Sequence, residues 1–213
     1  PSGLCSELFH PTDGSCEAVK TSADGDYLDV EFSLDALESV FVVFSPEAAA
    51  DEYKALDNES AIEGPWTVAF AESCGNPAFE RTFPTLQDWA ESTDRDVRYY
   101  SGHASYSCEF EMPSVAGRTV LDLGNVMVMA KVKVNGNYVG GVWTDPYTVD
   151  ITGFVREGKN ELEVEVYNNW RNRLAGDDLL PEAQRKTWTN ISQWNKSSEL
   201  QSSGLLGPVK VLY

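Results

Sequence analysis

The chain has 213 residues, 42% of them hydrophobic, and a formal net charge of -18. A chain of this length buries roughly 70% of its unfolded surface and needs neither disulfide nor metal to fold. The charge repels polyanions, which excludes nucleic acid and anionic membrane as partners, and no apolar run is long enough to span a bilayer as a helix.

Residues 1–46 read as short strands. A strand at 7–9 precedes the turn His10-Pro11-Thr12-Asp13-Gly14, and a second follows at 16–21. Beyond Asp24-Gly25-Asp26, the alternation of Leu28, Val30, Phe32 and Leu34 predicts a strand over 27–34. The continuous apolar run 39–44 predicts a strand buried on both faces. Cys5 and Cys16 either bridge across this hairpin or stay free, and the four cysteines show no metal-ligand spacing. Residues 47–61 read as a linker, with a short helix at 47–53 and a polar turn at Asn58-Glu59-Ser60.

From residue 62 a longer β pattern begins. Strands are expected at 66–70 and 78–83, with one helical turn at 85–91 capped by Thr85. A long strand at 99–112 alternates through Tyr100, Ala104, Tyr106, Cys108, Phe110 and Met112. Further strands follow at 119–123, 126–134, 138–143 and 147–151. Asn135-Gly136 marks a tight two-residue hairpin, because both positions tolerate positive φ. After a turn at 157–160, the strand 161–166 sets Leu162, Val164 and Val166 toward a core and Glu161, Glu163 and Glu165 toward water. A last strand is expected at 207–212. Strands at this spacing without helices between them predict an all-β chain: a β-sandwich or jelly roll at 62–213, preceded by a few strands of a partial β-sandwich.

The stretch 167–194 stands apart, as a polar loop slung between two strands. It holds three of the six tryptophans, Trp170, Trp188 and Trp194, together with Asn169, Arg171, Arg173, Asp177 and Asp178. Amides and carboxylates pair with vicinal hydroxyls, and guanidinium groups fork onto two oxygens. The loop therefore either binds a sugar or a neighbouring domain, or Arg171 and Arg173 pair with Asp177 and Asp178 to hold it while the tryptophans fill gaps. Trp143 poses the same choice: an indole offered to a sugar ring, or a corner Trp143-Thr144-Asp145-Pro146-Tyr147 with its rings packed inward.

Several ordered motifs carry a family likeness. They are Gly64-Pro65-Trp66, Tyr99-Tyr100-Ser101-Gly102-His103-Ala104-Ser105-Tyr106, Leu121-Asp122-Leu123-Gly124 before Ala130-Lys131-Val132-Lys133-Val134-Asn135-Gly136, and Trp143-Thr144-Asp145-Pro146-Tyr147. Together they resemble the galactose-binding-like jelly roll of family 2 glycoside hydrolases. Asn169-Trp170-Arg171-Asn172-Arg173-Leu174-Ala175-Gly176-Asp177, with the closing Ser203-Gly204-Leu205-Leu206-Gly207-Pro208, looks closer still to the C-terminal region of family 106 α-L-rhamnosidases. The resemblance implies an accessory domain that packs on the catalytic domain of a parent glycosidase and helps shape the binding of an oligosaccharide or polysaccharide. It implies a secreted or periplasmic bacterial protein. The carbohydrate-binding candidates are Trp143, Asn169, Trp170, Arg173, Asp177, Trp188 and Trp194. It implies no cofactor beyond a possible structural calcium, with Asp88, Asp94, Asp96 and Glu199 as conceivable ligands.

No catalytic residue is nominated. A glycosidase needs two carboxylates about 5–9.5 Å apart, and a barrel to carry them needs about 250 residues of alternating strand and helix; neither pattern is present. The chain starts at Pro1 without Met, as an excised piece or a processed product would.

Overall fold

The computed structural model describes residues 4–11, 14–34, 36–46, 56–115, 117–190 and 199–213. The chain divides into two compact units, Pro1–Leu56 and Asp57–Tyr213. Among the described residues no helix is long and apolar enough to cross a membrane.

In the first unit, β1 (Cys5–Phe9) lies between β2 (Cys16–Ala18) and β5 (Phe41–Ser45), while β3 (Thr21–Asp24) and β4 (Tyr27–Val30) form a separate hairpin. The apolar run 39–44 is a strand, but it is not buried on both faces: Phe41 is 64% and Phe44 46% exposed. β5 is an edge strand of a three-stranded sheet. β4 ends at Val30, so the alternation through Phe32 and Leu34 continues in sequence but not in strand. The cysteine bridge is excluded by register. Cys16 lies opposite Phe9, four residues along β1 from Cys5, about 13 Å at strand rise and far beyond disulfide reach. Both thiols are free. The helix expected at 47–53 lies outside the described residues.

The second unit is a two-layer antiparallel sandwich. Its strands, in chain order, are β6 (Glu59–Ala61), β7 (Trp66–Phe70), β8 (Phe79–Phe83), β9 (His103–Met112), β10 (Val120–Asp122), β11 (Asn125–Met127), β12 (Met129–Val134), β13 (Asn137–Val142), β14 (Thr148–Asp150), β15 (Gly158–Tyr167), β16 (Gly204–Gly207) and β17 (Lys210–Leu212). The large sheet runs β13-β12-β15-β9-β7-β8 and the small one β14-β10-β17-β6, with β11 and β16 paired beside them. Residues 59–61, read from sequence as a turn in a linker, are thus a strand of the small sheet. The backbones of Asn58 and Tyr213 exchange two hydrogen bonds that fasten the ends of the unit together.

Period-two alternation places the core. Val68, Tyr106, Val132 and Val164 from the large sheet meet Leu121, Val149 and Val211 from the small one, all in one buried cluster. Between them Tyr106 accepts a hydrogen bond from Trp89 Nε1 at 2.6 Å and another from the Leu205 amide at 3.1 Å. Gly204 is required here: with φ +101° its missing Cβ would stand 2.6 Å from Trp89 Nε1.

Several elements differ in detail from the sequence reading. The turn at 85–91 is a 3-10 turn at Trp89–Glu91 capped by Asp88, whose carboxylate accepts from the Ala90 amide, so Thr85 is not the cap. The strand expected from residue 99 starts at His103, because α1 (Arg95–Arg98), capped by Asp94, occupies the approach. Gly158 and Asn160 lie within β15 rather than in a turn. Asn160 is fully buried, yet its amide is satisfied by Arg156, Gly158 and Asn135. The run 126–134 is split between β11 and β12, and the last strand between β16 and β17. The Asn135-Gly136 hairpin forms as expected, with φ of 50° and 77°.

Candidate functional site

Register gathers the candidate segments at one end of the large sheet. Tyr167, the last residue of β15, lies opposite His103 and Met129, the first residues of β9 and β12. Val142 lies opposite Ala130, so the chain leaves β13 at Trp143 beside Met129. Phe70, the end of β7, lies opposite Ala104. The segments that follow Phe70, Val142 and Tyr167 all emerge at this end.

The stretch after Tyr167 is not a loop throughout. It holds α2 (Arg171–Asp178) and a 3-10 turn at Glu182–Gln184. Its polar side chains fasten it to the sandwich. Asn168 accepts from the Gly102 amide at 2.9 Å and donates to the Tyr100 carbonyl at 2.8 Å. Asn172, 1% exposed, accepts from the Gln201 amide and donates to the Gln201 carbonyl and to Ser203. Gly176 allows the helix to approach Tyr99, whose ring would stand 2.5 Å from a Cβ at that position.

The centre of the segment is a buried ion pair. Arg173 Nη2 donates to Asp177 Oδ1 at 2.7 Å, one helical turn apart. Asp177 Oδ2 also accepts from the Lys186 and Thr187 amides at 3.0 and 2.7 Å and from the Thr187 hydroxyl at 2.6 Å. Lys186 Nζ in turn donates to the Gly75 carbonyl at 3.0 Å, clipping the segment to the turn after β7. Asp178 pairs with Arg185 at 3.2 Å.

These contacts sort the candidates. Arg173 and Asp177 are not surface ligands: both are buried and paired with each other, and Asp177 takes three further bonds from its own segment. A buried charge persists only when so paired. The side chain of Asn169 bonds Gln201 at 2.8 Å and the Arg171 amide at 3.1 Å. The tryptophans do the opposite of filling gaps. Trp143 is 60% exposed, Trp170 58% and Trp188 84%, and all three lie at the same end. Trp194 lies outside the described residues. In the corner after β13, Tyr147 packs on the core while Trp143 faces out.

Sequence reasoning missed a polar cluster on the outer face of the large sheet. The Tyr167 ring stacks on His103 at 5.2 Å, and Lys131 Nζ sits 5.0 Å from its centroid. Lys131 donates to the Tyr167 hydroxyl at 3.1 Å, and that hydroxyl donates to Glu165. The Tyr167 bond, reinforced by Glu165, holds the Lys131 ammonium above its usual pKa. Alternation shows that Lys131, Glu165, Tyr167 and His103 share a face; their register, which brings them together, is not written in any one segment.

Two of the suggested calcium ligands, Asp88 and Asp94, have protein partners. Asp88 Oδ1 accepts from the Ala90 and Ser203 amides, and Asp94 accepts from the Asp96 amide and from Arg81 at 2.8 Å. No three His, Cys, Asp or Glu groups converge as metal ligands among the described residues. An open groove of about 410 Å³ beside β6 and β9 presents Glu63, Glu109 and Glu111, and Lys159 holds Glu109 at 2.7 Å.

A six-stranded antiparallel sheet packed on a smaller one defines a jelly-roll domain. The chain belongs to the glycosyl hydrolase 2 galactose-binding domain-like family, whose model matches residues 86–202. It is similar to a rhamnosidase from Novosphingobium sp. PP1Y over 100% of its own length and 21% of that chain, with 39% identity and a TM-score of 0.86. It is 34% identical over 194 residues to a protein of Formosa agariphila described as a "Putative beta-glucuronidase", covering 78% of this chain and 17% of the relative. A β-galacturonidase from Eisenbergiella tayi matches 75% of this chain and 26% of its own at 20% identity and a TM-score of 0.50, which shows the fold alone. The chain therefore spans about a fifth of the length of these relatives.

Proposed function

We propose that the chain is a non-catalytic accessory domain of a longer glycoside hydrolase, rhamnosidase-like in kind, secreted or periplasmic, and acting on a plant-type polysaccharide. Its role is to pack on a catalytic domain and to help hold the glycan. One observation carries this reading: three tryptophans stand exposed at one end of the sandwich, where an indole face matches the apolar C–H face of a sugar. The 39% identity to a rhamnosidase along the whole chain supports it. So does the fate of Asp177, which is buried and engaged by Arg173 and by the Lys186 and Thr187 amides.

Isothermal titration of the 213-residue chain against rhamnose-, galactose- and glucuronate-containing oligosaccharides tests it. Binding at millimolar concentration or tighter is expected, with no turnover of an aryl glycoside. Turnover by the chain alone would refute the accessory role.

A second reading, a structural domain with no ligand site, is favoured by the internal use of Asn168, Asn172, Arg173 and Asp177. Trp143→Ala, Trp170→Ala and Trp188→Ala, combined in one variant, separate the two. As exposed side chains they leave stability nearly unchanged, and a loss of glycan affinity then supports binding.

A further inference from the structure

We propose that the outer face of the large sheet, at its Tyr167 end, is a sugar subsite of its own, separate from the Trp170–Trp188 segment and suited to a neutral, hydroxyl-rich glycan. This rests on the carbohydrate-binding reading above. Met129, Tyr167 and His103 form a row across three neighbouring strands, and Trp143, the residue after β13, continues it beside Met129. At ordinary strand spacing the row spans about 14 Å, the scale of a short oligosaccharide.

The row pairs an apolar platform with a preset polar rack. Trp143 at 60% and Met129 at 46% exposure supply the platform. The rack is fixed before any ligand arrives, because Tyr167 is held between His103 and Lys131 and bonded to both Lys131 and Glu165. An ammonium carries three donors. Lys131 gives one to Tyr167, and Glu165 stands 3.7 Å away, beyond hydrogen-bond reach. Donors thus remain for glycan hydroxyls at a site whose side-chain entropy has already been reduced.

Charge selects the ligand. Lys131 is offset by Glu165, and the next pair along the strands, Lys133 and Glu163, meets at 2.8 Å. The face carries no surplus cation for a uronate, and the chain's net charge of -18 opposes an acidic glycan.

The experiment is titration of the wild-type chain and four variants with methyl α-L-rhamnoside and β-1,4-galactotriose, with trigalacturonate as the acidic comparison. Circular dichroism verifies folding. Trp143→Ala and Lys131→Met alter exposed side chains, and each is expected to weaken neutral-sugar binding about tenfold or more, the equivalent of one lost stacking or charged contact. Trp170→Ala and Trp188→Ala should change it by less than about twofold. Trigalacturonate should bind more weakly than galactotriose. If Trp143→Ala and Lys131→Met bind as the wild type does while Trp170→Ala or Trp188→Ala lose affinity, the subsite is refuted and the carbohydrate-binding reading stands. If the wild type binds no neutral sugar at millimolar concentration, both fall. Weakened association with a parent catalytic domain in Trp143→Ala, without sugar binding, would assign the face to protein docking and overturn the proposal.

Discussion

Asp177→Ala removes the acceptor of five hydrogen bonds at once: two from Arg173, one from each of the Lys186 and Thr187 amides, and one from the Thr187 hydroxyl. Asp177 is 3% and Arg173 8% exposed, so the substitution strands a guanidinium in a site that water reaches poorly. Removing one partner of a buried pair costs about 3–5 kcal/mol, and the upper half of that range is expected because two amides also lose their acceptor. All six tryptophans lie in the second unit, so urea unfolding followed by tryptophan fluorescence reads that unit. The double variant Arg173→Met/Asp177→Ala should lose less than the two single losses combined, by about 1–3 kcal/mol, because the stranded charge is gone. A loss below about 1 kcal/mol for Asp177→Ala, or strict additivity in the double variant, would refute the claim that this pair holds the segment.

Tyr106→Phe leaves the Trp89 indole and the Leu205 amide as buried donors without acceptors; a loss of about 2–4 kcal/mol, read by the same unfolding curve, is expected. Burial, assisted by Glu109, pushes the Cys108 thiol up to about 12, so a thiol reagent at pH 8 should leave Cys108 unmodified until the chain unfolds, as peptide mass mapping would show. For Asp94, burial pulls the carboxyl upward, but the Arg81 bond and the Asp96 and Val97 amides outweigh it and hold it below its ordinary value of 3.8. A depressed carboxyl stabilises the fold above its unfolded value, and that contribution is lost as pH falls through the folded one. Asp94→Ala should therefore cost about 1 kcal/mol as a lost helix cap at neutral pH, and the gap to wild type should narrow on acidification below pH 3.8.

What could be read in advance followed local rules. Alternation gave the inward faces of β9 and β15, since a strand buried on one side repeats every two residues. Asn135-Gly136 gave the hairpin because few other pairs accept two positive φ angles. The ordered motifs gave the likeness to the family 2 jelly roll, and the family match accords with it. The helix α2 was missed because its buried face is made of Asn172, Arg173, Ala175, Gly176 and Asp177. With polar groups satisfied by one another in place of an apolar stripe, no helical hydrophobic period appears.

The candidate site divides along the same line. Sequence alone determined that Trp, Asn, Arg and Asp concentrate after β15 and that Glu165 sits on an outward position of its strand. Tertiary structure decided which of these turn inward as a paired core of the segment, which stand exposed, and which meet. Tyr167 finds His103 and Lys131 only through pairings between strands that are distant in the chain, β15 with β9 and β12. Register is fixed by the burial of whole faces against a second sheet, a condition that belongs to the assembled sandwich and to no single stretch of sequence.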